Sequence, residues 1–153
     1  MQHDLTTVLA LNNAHATELS WLDLPLLSGL VEKAFLARSI GAVDAFLLAF
    51  DQTADYDSPN FRWFCDRYAT FVYVDRIVVA PAARGRGLAR QLYDELFTLA
   101  RTRSHERIVC EVNSDPPNPA SDAFHANMGF TEVGAARLIG RAKTVRYLER
   151  QLS

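Results

Sequence analysis

The chain has 153 residues, 16 basic and 18 acidic side chains, a formal net charge of −2 and 49% hydrophobic residues. That length fits a single domain, residues 1–153, able to bury about two thirds of the surface its unfolded form exposes. The slight acidity excludes a general attraction to nucleic acid, and the two cysteines, Cys65 and Cys110, lack metal-ligand spacing and read as buried thiols in a reducing compartment. No apolar run reaches the length of a membrane span, and Met1-Gln2-His3-Asp4 lacks the basic start of a signal peptide, so the expectation is a cytoplasmic protein with no membrane partner.

In chain order, residues 6–11 read as a first strand. Residues 21–37 read as a helix with Leu22, Leu26, Leu30 and Ala34 in steps of four, weakened by Gly29. Residues 39–42 and 45–50 form a hairpin around Val43 and Asp44. Phe61, Phe64, Cys65 and Tyr68 mark one face of a short helix, and residues 70–80 make the longest strand. Residues 86–103 carry Leu88, Leu92, Leu96 and Leu99 on one helical stripe, with Arg90, Asp94 and Arg101 off it. A strand over 108–112, a helix over 119–128 stopped by Gly129, and closing strands over 131–139 and 144–150 complete the series. Residues 51–60 and 113–119 are connections within one fold. This order predicts an α/β domain with a mixed sheet and helices on both faces.

The junction between the longest strand and the longest helix carries the chemistry. After Ile77, Val78, Val79 and Ala80, a proline stops the strand. The run Arg84-Gly85-Arg86-Gly87 then opens directly into the helix at Leu88 and Ala89. Exposed amides at a helix start favour an anion, and glycines let phosphate oxygens approach backbone that side chains would otherwise shield. The spacing fits neither a Walker loop, which needs Gly-Lys-Ser/Thr after four residues, nor a Rossmann fingerprint, because Arg90 stands where the third glycine would fall.

Arg84-x-x-Gly87-x-Ala89 resembles the Arg/Gln-x-x-Gly-x-Gly/Ala signature of the GCN5-related N-acetyltransferase (GNAT) family. A second segment, Asn118 to Phe130, is similar to that family's Asn-x-x-Ala-x-x-Leu-Tyr-x-x-x-Gly-Phe over thirteen positions in register. The resemblance implies a GNAT fold: a mixed, mostly antiparallel sheet in which two adjacent strands, here 70–80 and 108–112, splay apart to receive the pantetheine arm of acetyl-coenzyme A. It implies an acyltransferase that moves an acetyl group from acetyl-coenzyme A to an amine by direct attack. Arg84, Gly85, Arg86, Gly87, Leu88 and Ala89 would hold the pyrophosphate, Ile77, Val78 and Val79 the pantetheine and acetyl group, and Asn118 the arm from the other side. His125 stands where many members have the tyrosine that protonates the departing thiolate. An imidazole can act as that acid near neutrality, or it can only line the channel.

Acetyl transfer needs a deprotonated amine, an oxyanion donor and a proton for the thiolate. A strand amide within 77–79 is the expected oxyanion donor. Asp75 is the first choice of base: strand alternation puts it on the face of Tyr73 and Ile77, opposite Arg76. Glu111 on the neighbouring strand is the alternative, and a water chain can replace either. Asn60, Trp63, Tyr68 and Tyr73 are candidates for an acceptor pocket that admits an amine, with Trp63 off the helical stripe of Phe61, Phe64 and Tyr68 and so freer to meet ligand. No metal is expected, since His3, His15, His105 and His125 are scattered. Ser121, Asp122 and His125 do not make a hydrolase relay from one short helix. The acceptor is a small-molecule amine or a protein or peptide amine, nucleic acid is not a partner, and a homodimer is the default oligomer. A module that binds coenzyme A without transferring acetyl groups is the alternative.

Overall fold

The computed structural model describes residues 5–16, 19–138, 140 and 143–152. The reading of Met1-Gln2-His3-Asp4 and the last residue of the 131–139 strand lie outside them. Among the described residues, no helix is long and apolar enough to cross a membrane.

The elements are α1 (Leu5–Ala14), α2 (Leu24–Lys33), β1 (Leu36–Ile40), β2 (Ala45–Asp51), α3 (Pro59–Cys65), β3 (Val72–Val79), α4 (Leu88–Thr102), β4 (Arg107–Asp115), α5 (Pro119–Asn127), β5 (Thr131–Leu138) and β6 (Lys143–Gln151). Two expectations fail at the amino-terminal end. Residues 6–11 belong to helix α1, not to a strand, because burial at Val8 and Asn12 follows the four-residue period of a helix. The expected helix over 21–37 is shorter. Asp23 caps it by accepting from the Leu26 N–H, it ends at Ala34, and the remainder turns into β1 against β2. Ser58 and Asn118 cap α3 and α5 in the same way, each before a proline at the first helical turn.

The strands form one six-stranded sheet in the order β1-β2-β3-β4-β6-β5, antiparallel at every junction except β3 with β4. Its two faces carry separate cores. On one face Ala45, Leu47 and Ala49 of β2 and Ile108, Cys110 and Val112 of β4 pack under the α4 stripe of Leu88, Leu92, Tyr93, Leu96, Phe97 and Ala100. On the other, Phe46, Leu48, Phe50, Tyr73, Val109 and Tyr147 pack against Val8 of α1, Leu27, Leu30 and Val31 of α2, and Phe61 and Phe64 of α3. Strand periodicity thus assigns each residue of β2 and β4 to one face or the other.

Strand β3 breaks that rule. Val74 pairs with Ala49 and Arg76 pairs with the next residue, Leu48, which leaves Asp75 with no opposite number. This is a β-bulge, and it inverts the alternation: Val72 and Val74 face α4 before it, whereas Ile77 and Val79 do so after it. Asp75 therefore does not share a face with Ile77, nor lie opposite Arg76. The two side chains touch, Arg76 Nε donating to Asp75 Oδ2 at 2.9 Å.

Candidate active site

Strands β3 and β4 pair only at Val72↔Ile108 and Tyr73↔Val109. Beyond that point β3 stays bonded to β2 and β4 to β6, so from Val74 and Cys110 onward the facing edges separate. The bulge at Asp75 falls at the start of this separation and supplies the bend. Open strand edges inside a fold carry backbone groups that need partners, and a ligand with amides of its own can supply them.

The slit opens into a cavity of about 630 Å³ that reaches both faces of the sheet. Its walls include Tyr73, Asn60 and Glu111 from the α1–α3 face and Tyr93, Cys110, Asn118 and His125 from the α4–α5 face. Leu19, Leu22, Leu26 and Leu30 form an apolar side wall.

At one end of the slit the chain passes from β3 through a short 3-10 turn, Pro81–Ala83, and the segment Arg84-Gly85-Arg86-Gly87 into α4. Gly85 and Gly87 hold φ of +82° and +73°, values that L side chains rarely adopt, and a Cβ at either would meet nothing within 4 Å. Gly87 is the N-cap without a side-chain cap, and the first amide to find a helical carbonyl is that of Gln91, which donates to Gly87 O. The preceding amides of the turn lie at the positive end of the helix dipole, among the exposed side chains of Arg84, Arg86 and Arg90. Arg86 is 3.6 Å from Asp44. Exposed amides, glycines and arginines at a helix start form an open turn of the kind that favours an anion.

On the α1–α3 side, Glu111 is held by three contacts. The Tyr73 hydroxyl lies 2.6 Å and 3.0 Å from its two oxygens, and Asn60 Nδ2 donates at 2.8 Å. Asn60 is fixed in turn by the Tyr147 hydroxyl, which donates to Oδ1 at 2.8 Å. Burial pushes the Glu111 carboxyl up to about 7, only partly opposed by the Tyr73 hydrogen bond. Asp75 is also raised by burial, but it is engaged: Arg76 pairs with it, and Tyr56 Oη donates to it at 2.8 Å. Arg76 continues into a buried network, donating to Asn12 Oδ1, Ser20 O and Ser20 Oγ, and so ties α1 to β3.

On the α4–α5 side, His125 is 5% exposed. Its Nδ1 is 2.8 Å from the Ser121 carbonyl oxygen and its Nε2 is 2.7 Å from the Tyr93 hydroxyl. A carbonyl only accepts, so Nδ1 carries the proton of the neutral ring and Nε2 accepts from Tyr93. Burial lowers the pKa of the ring below its ordinary value.

The site thus gathers Tyr73, Asp75, Ile77, Glu111, Asn118, His125 and Asn60 around one cavity, with the glycine-arginine turn at the end of β3. Trp63 and Tyr68 are not among the cavity walls. Trp63 is stacked on Tyr147 at 4.1 Å between ring centroids, with the Arg67 guanidinium over its other face at 3.6 Å. Its edge fills the space over Gly134, where a Cβ would come within 2.3 Å. Tyr68 lies under Arg107 and beside Glu149. The off-stripe position that marked Trp63 for ligand contact serves the outer strands of the sheet instead. Cys65 is exposed, contrary to expectation, while Cys110 is buried at the slit. Tyr56, Arg76 and Tyr93 were not marked by sequence. Tyr93 has the look of core on a leucine-rich stripe, and its only signal was a polar tip among aliphatic neighbours.

A mixed sheet split between two parallel strands, with helices on both faces and an arginine-glycine turn at the split, is the acetyltransferase fold class. A family model described as the Acetyltransferase (GNAT) family matches residues 35–130, and the chain belongs to that family. It is 39% identical over 74 residues to a phosphinothricin N-acetyltransferase of Streptomyces coelicolor, a match covering 48% of this chain and 42% of that relative's length. The fold is similar to that of Ard1 from Thermoplasma volcanium, with a TM-score of 0.75 at 16% identity, covering 99% of this chain and 93% of that one. It is similar also to a Salmonella typhimurium protein solved with its cofactor acetyl-CoA, with a TM-score of 0.70 at 21% identity over 100% and 91% of the two chains.

Proposed function

We propose that this protein is an N-acetyltransferase that moves an acetyl group from acetyl-coenzyme A to an amine acceptor by direct attack in a ternary complex. The observation that carries the reading is the slit between β3 and β4, flanked on one face of the sheet by Glu111 and ended by the open turn at residues 84–87. Acetyl-coenzyme A supplies an activated thioester when bound. The amides and arginines from Arg84 to Ala89 hold its diphosphate, the open edges of Ile77, Val78 and Val79 pair with its arm and offer an N–H to the acetyl oxygen, and Asn118 bounds the arm opposite them.

Glu111 is the base. It lies on the acceptor side, Tyr73 and Asn60 fix its orientation, and its carboxyl titrates at about 7, where proton transfer from an ammonium group is efficient at neutral pH. Asp75 keeps Arg76 and Tyr56 in place. Its negative charge is already used by Arg76, which makes it the weaker candidate.

The acceptor enters from the α1–α3 face past Tyr56, Asn60 and the leucine wall, so an amine with an apolar portion fits best. The resemblance to a phosphinothricin N-acetyltransferase favours a small-molecule amine over a protein amine. The reading includes a cytoplasmic location, in keeping with two free thiols, and a homodimeric state. The test is thiol release from acetyl-coenzyme A against a panel of amino acids, polyamines, aminoglycosides and peptides. Acceptor-dependent release is the expected result. Binding of the thioester with no release across the panel would replace the enzyme by a coenzyme-A-binding module.

A further inference from the structure

Where other members of the family carry the thiolate's acid on α5, this chain has an imidazole with both nitrogens held by protein groups. Nδ1 is tied to the Ser121 carbonyl, and Nε2 to a hydroxyl from a different helix, Tyr93 of α4. Tyr93 is fully buried yet lines the cavity, beside Cys110, the first β4 residue past the last β3–β4 pair, and on the face of the sheet opposite Glu111. Its ring is fixed by Phe97, Phe124 and Phe130, with centroids 5.7, 5.7 and 5.6 Å away. Only the hydroxyl hydrogen is free to turn.

We propose that Tyr93 gives the departing thiolate its proton, and that His125 decides when it can by changing the direction of the Tyr93 O–H bond. With neutral His125, Nε2 is a bare acceptor and the Tyr93 hydrogen points at it. With His125 protonated, Nε2–H donates to the phenol oxygen, and the Tyr93 hydrogen is released toward the slit. As the thiolate leaves, Tyr93 gives up its proton and its oxygen takes the Nε2 proton in the same step. One S–H bond forms, the Nε2–H bond is lost, Tyr93 ends as a phenol and His125 as neutral imidazole. No electrons change hands. Burial keeps Tyr93 a phenol throughout the working range, so it serves as a carrier and never rests as phenolate.

The charged and titratable groups around this pair are Asp122 on α5, itself paired with Arg146 of β6, and Cys110 and Glu111 on β4. Burial opposes the imidazolium, while the Ser121 carbonyl and Asp122 favour it. The inference rests on the acetyltransferase reading, and the two fail differently.

If wild-type protein releases no thiol with any amine, the reading itself is lost. If it does, Tyr93→Phe should lower single-turnover thiol release about a hundredfold, with the KM for acetyl-coenzyme A changed less than twofold. Full turnover in that variant overturns the inference. Should Tyr93→Phe not fold, 3-fluorotyrosine at position 93 keeps the shape and makes the phenol more acidic. Single-turnover thiol release should then change in rate, and an unchanged rate refutes the role. A readout without turnover is nitrogen-15 NMR of the His125 ring in the free protein. The neutral form should carry its proton on Nδ1, and a proton on Nε2 would refute the switch.

Discussion

Glu111→Gln separates catalysis from stability in opposite directions. The amide has nearly the shape of the protonated acid, and its oxygen can accept from Tyr73 and Asn60 as Oε1 does now at 2.6 and 2.8 Å. The network therefore survives while the base is lost, and acceptor-dependent turnover should fall by roughly 10²–10⁴-fold. Stability moves the other way. A carboxyl raised from 4.5 to about 7 by burial holds its proton more tightly in the folded chain, so folding is penalised when that proton is removed. The penalty is absent below 4.5, grows as pH rises between 4.5 and about 7, and is complete above that, where it amounts to about 3 kcal/mol at most. The variant, having no charge to bury, escapes it. Its melting temperature should match wild type at pH 4.5 and exceed it by about 5–10 °C at pH 8. Calorimetric scans across that range, run beside thiol-release assays, make the measurement. A melting difference that does not change with pH would refute the burial assignment, and wild-type turnover would remove Glu111 as base.

Acetyl-coenzyme A at a hundredfold excess over Kd should stabilise the wild type by about 2.7 kcal/mol in thermal melts. Gly87→Glu, which forces a side chain with a negative charge onto a left-handed position facing the diphosphate, should abolish the shift, and a retained shift would displace the binding turn. Arg76→Met leaves Asp75 buried without its charge partner and should cost about 3–5 kcal/mol in urea unfolding. Restoring part of that loss with Asp75→Asn in the same chain would confirm the pair. Trp63→Ala should cost about 3–5 kcal/mol through loss of its packing on Tyr147, with the KM for amine unchanged; a raised KM would return Trp63 to the acceptor site.

The parts of this fold that could be read from sequence are those where local chemistry and global role coincide. Gly85 and Gly87 punctuate the strand-to-helix junction because their backbone conformation demands it, and the second motif puts Asn118, Ser121 and His125 on the cavity wall. The amino-terminal region was harder. Thr6, Thr7 and Val8 favour strand by propensity, yet Val8 and Asn12 bury as a helical pair, Val8 in the core with α2 and Asn12 against Arg76, far along the chain. The bulge at Asp75 was invisible for a related reason: alternation counts residues, and a bulge inserts one without any mark in the side chains. Arg76 was accordingly assigned to the wrong side. Trp63 misleads in the opposite direction: it lies off the helical stripe, yet its ring fills the space Gly134 leaves on β5.

The window in the sheet lets one cavity reach two differently built faces. On the proposed reading, the residues that would meet the acceptor lie on the α1–α3 side and those that would surround the sulfur lie on α4 and α5, and the two sets pack in different cores. Swapping leucines on the acceptor side therefore alters what enters without disturbing how the donor is gripped. Two recognition problems become separately adjustable, joined by a single aperture through which a two-carbon cargo passes.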